Sequence, residues 1–202
     1  MTPPFTDARV IADAADLRRF LAADLVAHGV HRWHWFLRPR YPELHFQRVL
    51  RRVELARTRR TPWARLRFLL GRVRLAQLAV HTGISIPPGT FGPGLSVAHC
   101  GSIVVNDRVR VGSFCRIHSG TNIGVSGGGV PVIGDRVYIA PGAVLYGAIT
   151  IGDDVLIGAN SVVNCDVPAG VTVAGAPAQI IARTGSQKSM PEWFPAAEPV
   201  TP

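Results

Sequence analysis

The chain has 202 residues, 47% of them hydrophobic and 17% charged, with 22 Lys and Arg against 13 Asp and Glu. That apolar share fills one or two modest cores and excludes disorder over most of the length. Three cysteines, at 100, 115 and 165, form no Cys-x-x-Cys pair, which excludes a disulfide framework and a zinc-finger ligand set. The stretch from Met1 to Asp7 lacks the basic and apolar blocks of a signal peptide, and the most apolar helical run, Leu66 to Val80, is interrupted by Arg67, Arg72 and Arg74. The expectation is a cytoplasmic protein with no membrane span.

Charge and glycine divide the chain. Residues 1–80 hold 16 arginines against 6 acids, whereas residues 81–202 hold 6 basic residues against 7 acids; 19 of the 21 glycines follow His81. The first part has helical spacing. Asp13 is placed to cap a helix carrying Leu17, Phe20, Leu21 and Leu25 on one side, with Gly29 as its stop. Phe46, Val49, Leu50 and Val53 repeat the pattern, as do Leu66, Leu69, Leu70 and Val73, and Pro39, Pro42 and Pro62 punctuate the run. Three or four helices are expected over 1–80.

From His81 the period changes to six. Ile133, Ile139, Leu145, Ile151, Ile157 and Val163 stand six apart, preceded by Val105, Val111, Ile117 and Ile123 in the same interval. Small residues follow most of these anchors, and Val137, Ala143, Val155 and Ser161 occupy a second recurrent place. Six residues suit one short strand and one corner, so three units close a triangular coil of about eighteen residues with the aliphatic anchors inside. Coils then stack as a solenoid held by nearest-neighbour contacts. An ordinary β-sandwich gives no reason for an aliphatic residue at every sixth place. The expected fold is a mainly β solenoid over 81–183, preceded by an arginine-rich α-helical segment and followed by a loosely held extension over 184–202.

The stretch Phe91-Gly92-Pro93-Gly94-Leu95-Ser96-Val97-Ala98-His99, then Gly101-Ser102-Ile103-Val104-Val105-Asn106, and the closing Val173-Ala174-Gly175-Ala176-Pro177-Ala178 carry a resemblance. Over roughly 81–183 the chain resembles the hexapeptide-repeat acyltransferases, in their serine acetyltransferase branch. The resemblance implies a left-handed parallel β-helix, a handedness that the repeat itself does not dictate. It departs from that branch in two places: Ala98 stands where the branch has an aspartate before the histidine, and Val130, in a shorter loop through Gly127, Gly128 and Gly129, stands where a second histidine is expected. The run from Ile86 to Ser96 with Ile117-His118-Ser119-Gly120 looks more like serine-acetyltransferase-like enzymes of surface glycans, which implies a sugar hydroxyl as acceptor. Serine O-acetylation and a non-catalytic trimeric scaffold are the alternatives.

Acyl transfer to an alcohol needs a base for the hydroxyl proton and donors for the developing oxyanion. His99 matches the family's catalytic histidine, and imidazole suits a base working near neutrality. His118, nineteen residues on, falls close to one coil above it, either orienting the acceptor, serving as a second base, or standing as a solvated turn residue. His28, His31, His34, His45 and His81 read as surface or packing residues. The resemblance implies acetyl-CoA as donor, with its pantetheine arm beside Ala140, Pro141, Gly158, Ala159, Ala174 and Gly175. Gly127-Gly128-Gly129 lacks the Lys-Ser/Thr of a phosphate-binding loop, Arg183 reads as a solvated arginine, and no metal is expected. A homotrimer would bury the prism faces and form clefts between subunits, with a dimer of trimers as the larger alternative. The arginine-rich stretch from Arg51 to Arg74 carries no nucleic-acid motif; it reads as a solvated helical face, with contact to an anionic membrane surface or a lipid-linked acceptor as the alternative.

Overall fold

In the computed structural model, residues 10–58 and 61–195 are described. Met1 to Asp7, Arg59, Arg60 and the last seven residues of the extension lie outside them. Three helices come first: α1 (Ala14–Ala27), α2 (Pro42–Thr58) and α3 (Pro62–Thr82). Asp13 caps α1 by accepting from the Ala15 and Asp16 amides at 2.7 and 2.9 Å, and the chain leaves through Gly29 at φ 66°. Thr61 caps α3, Pro62 opens its first turn, and Gly83 ends it in the left-handed conformation. Helix α3 thus runs past residue 80 and takes His81 into its last turn. Among the described residues no helix is long and apolar enough to cross a membrane.

The buried face of α3 corrects the expectation. Leu66, Leu69, Leu70 and Val73 are exposed, and Ala64, Leu75, Leu78 and Thr82 are buried instead. The reason lies at Gly71, where a Cβ would stand 2.8 Å from Val53 Cγ2. Small residues at 64 and 71 let α3 approach α2 closely, and that approach chooses the face, leaving the larger aliphatic stripe outward.

The solenoid has fourteen short strands among the described residues: β1 (Ile84–Ser85), β2 (Ser96–Val97), β3 (Ile103–Val105), β4 (Arg110–Val111), β5 (Arg116–Ile117), β6 (Asn122–Gly124), β7 (Val132–Ile133), β8 (Tyr138–Ile139), β9 (Val144–Tyr146), β10 (Thr150–Ile151), β11 (Leu156–Ile157), β12 (Val162–Val163), β13 (Thr172–Gly175) and β14 (Ala178–Ala182). They build three sheets, in orders β1-β3-β6-β9-β12, β4-β7-β10 and β2-β5-β8-β11-β13-β14. All pairings are parallel except β13 with β14. Every one of the ten anchors is at most 4% exposed, and Val137, Ala143, Val155 and Ser161 are fully buried. Each anchor therefore fills the prism, as the six-residue period requires. Eighteen residues separate Val144 from its partner Val162, whereas twenty-two separate Arg116 from Tyr138. The four additional residues form the glycine loop, closed by a bridge between Ser126 and Gly129, and Val130 packs against the core.

Helices plug the lower end of the tube. Phe46 and Leu50 of α2 and Leu75 and Leu78 of α3 join the same apolar cluster as Ile84, Phe91 and Leu95. A buried ion cluster ties the two parts together: Arg51, with no exposure, bonds Asp24 at 2.9 Å and Glu54 at 3.2 Å and donates to the Phe91 and Gly92 carbonyls. Asp24 in turn accepts from the Gly94 and Leu95 amides at 3.0 Å. Burial pushes the Glu54 carboxyl up despite the guanidinium beside it.

The extension is docked rather than loose as far as residue 195. A 3-10 turn at Ser186–Ser189 bonds to the Asp154 and Arg136 carbonyls, Phe194 is 7% exposed and meets Phe114 edge-on at 6.1 Å, and the Trp193 ring lies over Gly29. Two aromatic side chains with apolar sites to fill outweigh the proline-rich composition. Phe194→Ala is expected to release this strap, so that trypsin cuts at Arg183 and Lys188 several-fold faster, as read by timed gels, with the prism still intact.

Candidate active site

The third sheet presents two adjacent columns on its outer side. Ser96, Arg116 and Tyr138 are paired in register, with Val97, Ile117 and Ile139 behind them as core. One step along each strand come Ala98, His118 and Ala140, because successive side chains alternate. The Ala98 amide donates to the Ile117 carbonyl at 2.9 Å and the His118 amide to the Ile139 carbonyl at 3.1 Å. His118 thus stands over Ala98, and His99 follows immediately, exposed, where the chain leaves β2. The structure brings the two expected histidines together: their rings are 6.2 Å apart between centroids, inclined at 64°.

His118 packs on the other side against Tyr138, with ring centroids 5.0 Å apart. Its pKa is pushed down to about 4, by burial first and then by the charges of Arg116 and His99. The ring is therefore neutral near pH 7 and a weak proton acceptor, which suits it better to orienting a neighbour than to serving as a second base. Its Nε2 is enclosed without a hydrogen-bond partner.

Helix α2 supplies a wall. Gln47 donates to the Leu95 carbonyl at 2.6 Å, and its Oε1 meets the His28 ring at 2.7 Å. One turn earlier, Glu43 lies half-buried, with the Cys100 thiol donating to its Oε2 at 3.8 Å. Burial pushes the Glu43 carboxyl up, while the neighbouring Cys100 and His99 pull it back. Cys100 is itself pushed up by burial and by Glu43. The half-buried Arg116 donates to Ser96 Oγ at 2.8 Å, and Ser96 Oγ donates to the Ala27 carbonyl at 3.1 Å. Glu43, Arg116 and Tyr138 were missed by sequence reasoning.

Beyond His118 the column continues as Ala140, Gly158 and Ala174, in register through Ile139, Ile157 and Val173. Pro141, Ala159 and Gly175 follow them, all three exposed. A Cβ at Gly158 would meet the Ala174 methyl at 2.9 Å, so only glycine keeps this strip flat. Arg183 is exposed beyond β14, and nothing brings it to the histidines. His45 is buried against Trp33 with its pKa pushed down to about 4 by burial and by four arginines, and His31, His34 and His81 are exposed. Two clefts of about 690 and 780 Å³ flank α3, but neither includes His99. Among the described residues no group of three His, Cys, Asp or Glu gathers at metal-binding distance.

A parallel three-sided coil with a histidine on its outer face is the arrangement expected of a hexapeptide-repeat transferase. Accordingly, the family described as Bacterial transferase hexapeptide (six repeats) matches residues 131–165. The serine acetyltransferase of Helicobacter pylori strain J99 is 41% identical over 115 residues, covering 54% of this chain and 67% of that one. That of Mycobacterium tuberculosis is 36% identical over 137 residues, covering 65% of this chain and 60% of its own length. Among solved structures, the Brucella abortus serine acetyltransferase superposes with a TM-score of 0.67 at 28% identity, covering 85% of this chain and 71% of that chain. The Neisseria gonorrhoeae enzyme in complex with serine gives the same TM-score and identity over 84% and 70%. The chain belongs to the serine acetyltransferase family of acyltransferases, and its solenoid is the left-handed parallel β-helix.

Proposed function

We propose that the protein transfers the acetyl group of acetyl-CoA to the hydroxyl of serine. The observation that carries this reading is the placement of an exposed His99 against a neutral His118, on a column of small residues, in a member of this family. The sugar acceptor expected from the sequence has no support among the relatives, which favour serine instead. Acetyl-CoA supplies the acyl group as a thioester, and the flat strip of Ala140, Gly158 and Ala174, edged by Pro141, Ala159 and Gly175, fits a slender pantetheine arm. The assembly in this reading is a homotrimer, which buries outer prism faces against neighbouring copies.

His99 takes the proton of the serine hydroxyl as the oxygen forms its bond to the thioester carbonyl carbon. The carbon–sulfur bond then breaks, and the same proton passes from His99 to the departing sulfur. While the ring holds that proton it is cationic, and Glu43 is the carboxylate close enough to favour that state, in place of the aspartate that Ala98 lacks. His118 acts as a positioning residue: neutral and wedged between His99 and Tyr138, it fixes the plane of the base without competing for the proton.

Glu43→Gln tests the carboxylate. Removing the negative charge makes the protonated ring less favourable, so kcat is expected to fall about 10-fold or more. An unchanged kcat would show that Glu43 only packs. The reaction itself is tested by following free thiol from acetyl-CoA with serine and with a panel of sugars and glycans. Turnover on serine supports the reading, turnover on sugars alone restores the glycan acceptor, and none with either leaves the scaffold.

A further inference from the structure

Arg116 has a half-buried guanidinium but no carboxylate. Two other buried or half-buried arginines have carboxylates, Arg51 with Asp24 and Glu54 and Arg136 with Asp154 at 2.7 Å; Arg48, like Arg116, has none, but its guanidinium lies over the Trp33 ring at 5.0 Å, away from the histidines. Arg116 makes one hydrogen bond, to the neutral Ser96 hydroxyl, and burial pushes its pKa down. Withdrawing a guanidinium from water without a counter-charge is unfavourable, and the arrangement becomes favourable when an anion arrives. Its place in the fold says which anion. It stands on β5 two residues before His118, on the same outer side, and its side chain reaches down over Ser96 on the coil that carries His99 three residues later.

We infer that Arg116 is the seat of the acceptor's carboxylate. In this inference a small amino acid with its hydroxyl at His99 directs its carboxylate toward the Ser96 side of the column, where Arg116 reaches, and its ammonium toward Glu43 on the α2 wall. A planar guanidinium with one face of donors still free presents two parallel N–H groups to a carboxylate. The site thereby reads both charges of a zwitterion. The strip of Ala140, Gly158 and Ala174 runs the other way along the sheet, so the coenzyme's phosphates are not its ligand. This inference rests on serine as the acceptor class.

The test compares L-serine with L-serinamide, which keeps the hydroxyl and ammonium and lacks the carboxylate, in the full-length protein and in Arg116→Met and Arg116→Lys. Wild type is expected to show a KM for serine about 30-fold or more below that for serinamide. Arg116→Met is expected to raise the serine KM to the serinamide value, leaving KM for acetyl-CoA unchanged, and Arg116→Lys is expected to recover part of the loss. Thermal melting of both variants checks the fold, and calorimetric titration of serine reports binding apart from turnover. Serine turnover at an unchanged KM in Arg116→Met overturns the inference alone. A raised KM for acetyl-CoA would assign Arg116 to a coenzyme phosphate, also against it. Failure of wild type to bind or acetylate serine while it acetylates a sugar would instead sink the acceptor class.

Discussion

His99→Ala is expected to lower kcat for acetyl transfer by roughly 10²- to 10⁴-fold, with the melting temperature unchanged. The two halves of this expectation have separate causes. Loss of rate follows because the histidine and cysteine beside it are poor replacements: His118, with its pKa pushed down to about 4, is a weak proton acceptor, and burial pushes the Cys100 thiol up. Preservation of the fold follows because the His99 ring is exposed, and the neighbouring amide of Ala98 already completes the ladder to β5. Release of free thiol and a melting curve check the two halves on one preparation. Retention of a third or more of the wild-type rate would mean that the base lies elsewhere.

Arg51→Ala is expected to cost about 3 to 5 kcal/mol of stability, because it leaves two buried carboxylates without their cation. Asp24 is fully buried and Glu54 is 8% exposed, so neither recovers water when the guanidinium goes. Burial works against the charge of Arg51 too, yet Asp24 and Glu54 together hold its pKa above the ordinary value. The whole arrangement is stable only as a unit. For a chain of this size such a loss lowers the melting temperature by roughly 10 °C. The cluster also clasps residues 89–95, the segment that leads into β2, so activity is expected to fall together with stability. The exposed Arg52→Ala is the control, with a change under about 0.5 kcal/mol. A loss below about 1 kcal/mol in Arg51→Ala, read from urea unfolding, would show that the helices are held by apolar packing alone.

Sequence reasoning reached the prism because its signal is periodic and its cause local: each of the ten anchors has the same neighbours, so Ile139 and Ile157 look alike in sequence and in space. It mistook the buried side of α3 because both sides carry helical spacing. Leu66, Leu69, Leu70 and Val73 form the more apolar stripe, yet the stripe through Ala64 and Gly71 is buried, since close approach to Val53 needs small residues more than large ones. Hydrophobicity alone holds no information about which neighbour arrives. His99 was legible from its motif and His118 from its interval, although the coil between Ser96 and Arg116 has twenty residues, which sets His118 over Ala98. Glu43 could not be read, because the helix that carries it meets the coil fifty-six residues later in the chain. Trp193 and Phe194 found sites on Gly29 and Phe114 that no local pattern announces.

The reversal of direction between β13 and β14 has a consequence for the molecule's growth. Each interior coil offers the next a parallel edge in the same register, an invitation that would repeat without limit and recruit other copies into filaments. At the top the edge of the third sheet is taken by β14 running the opposite way, and at the bottom helices cover the tube. Length is thus governed by the two terminators and not by the repeating unit, so one extra eighteen-residue turn spliced between β10 and β11 should raise the upper lid by one layer while leaving the helical lid, and the histidines above it, where they are.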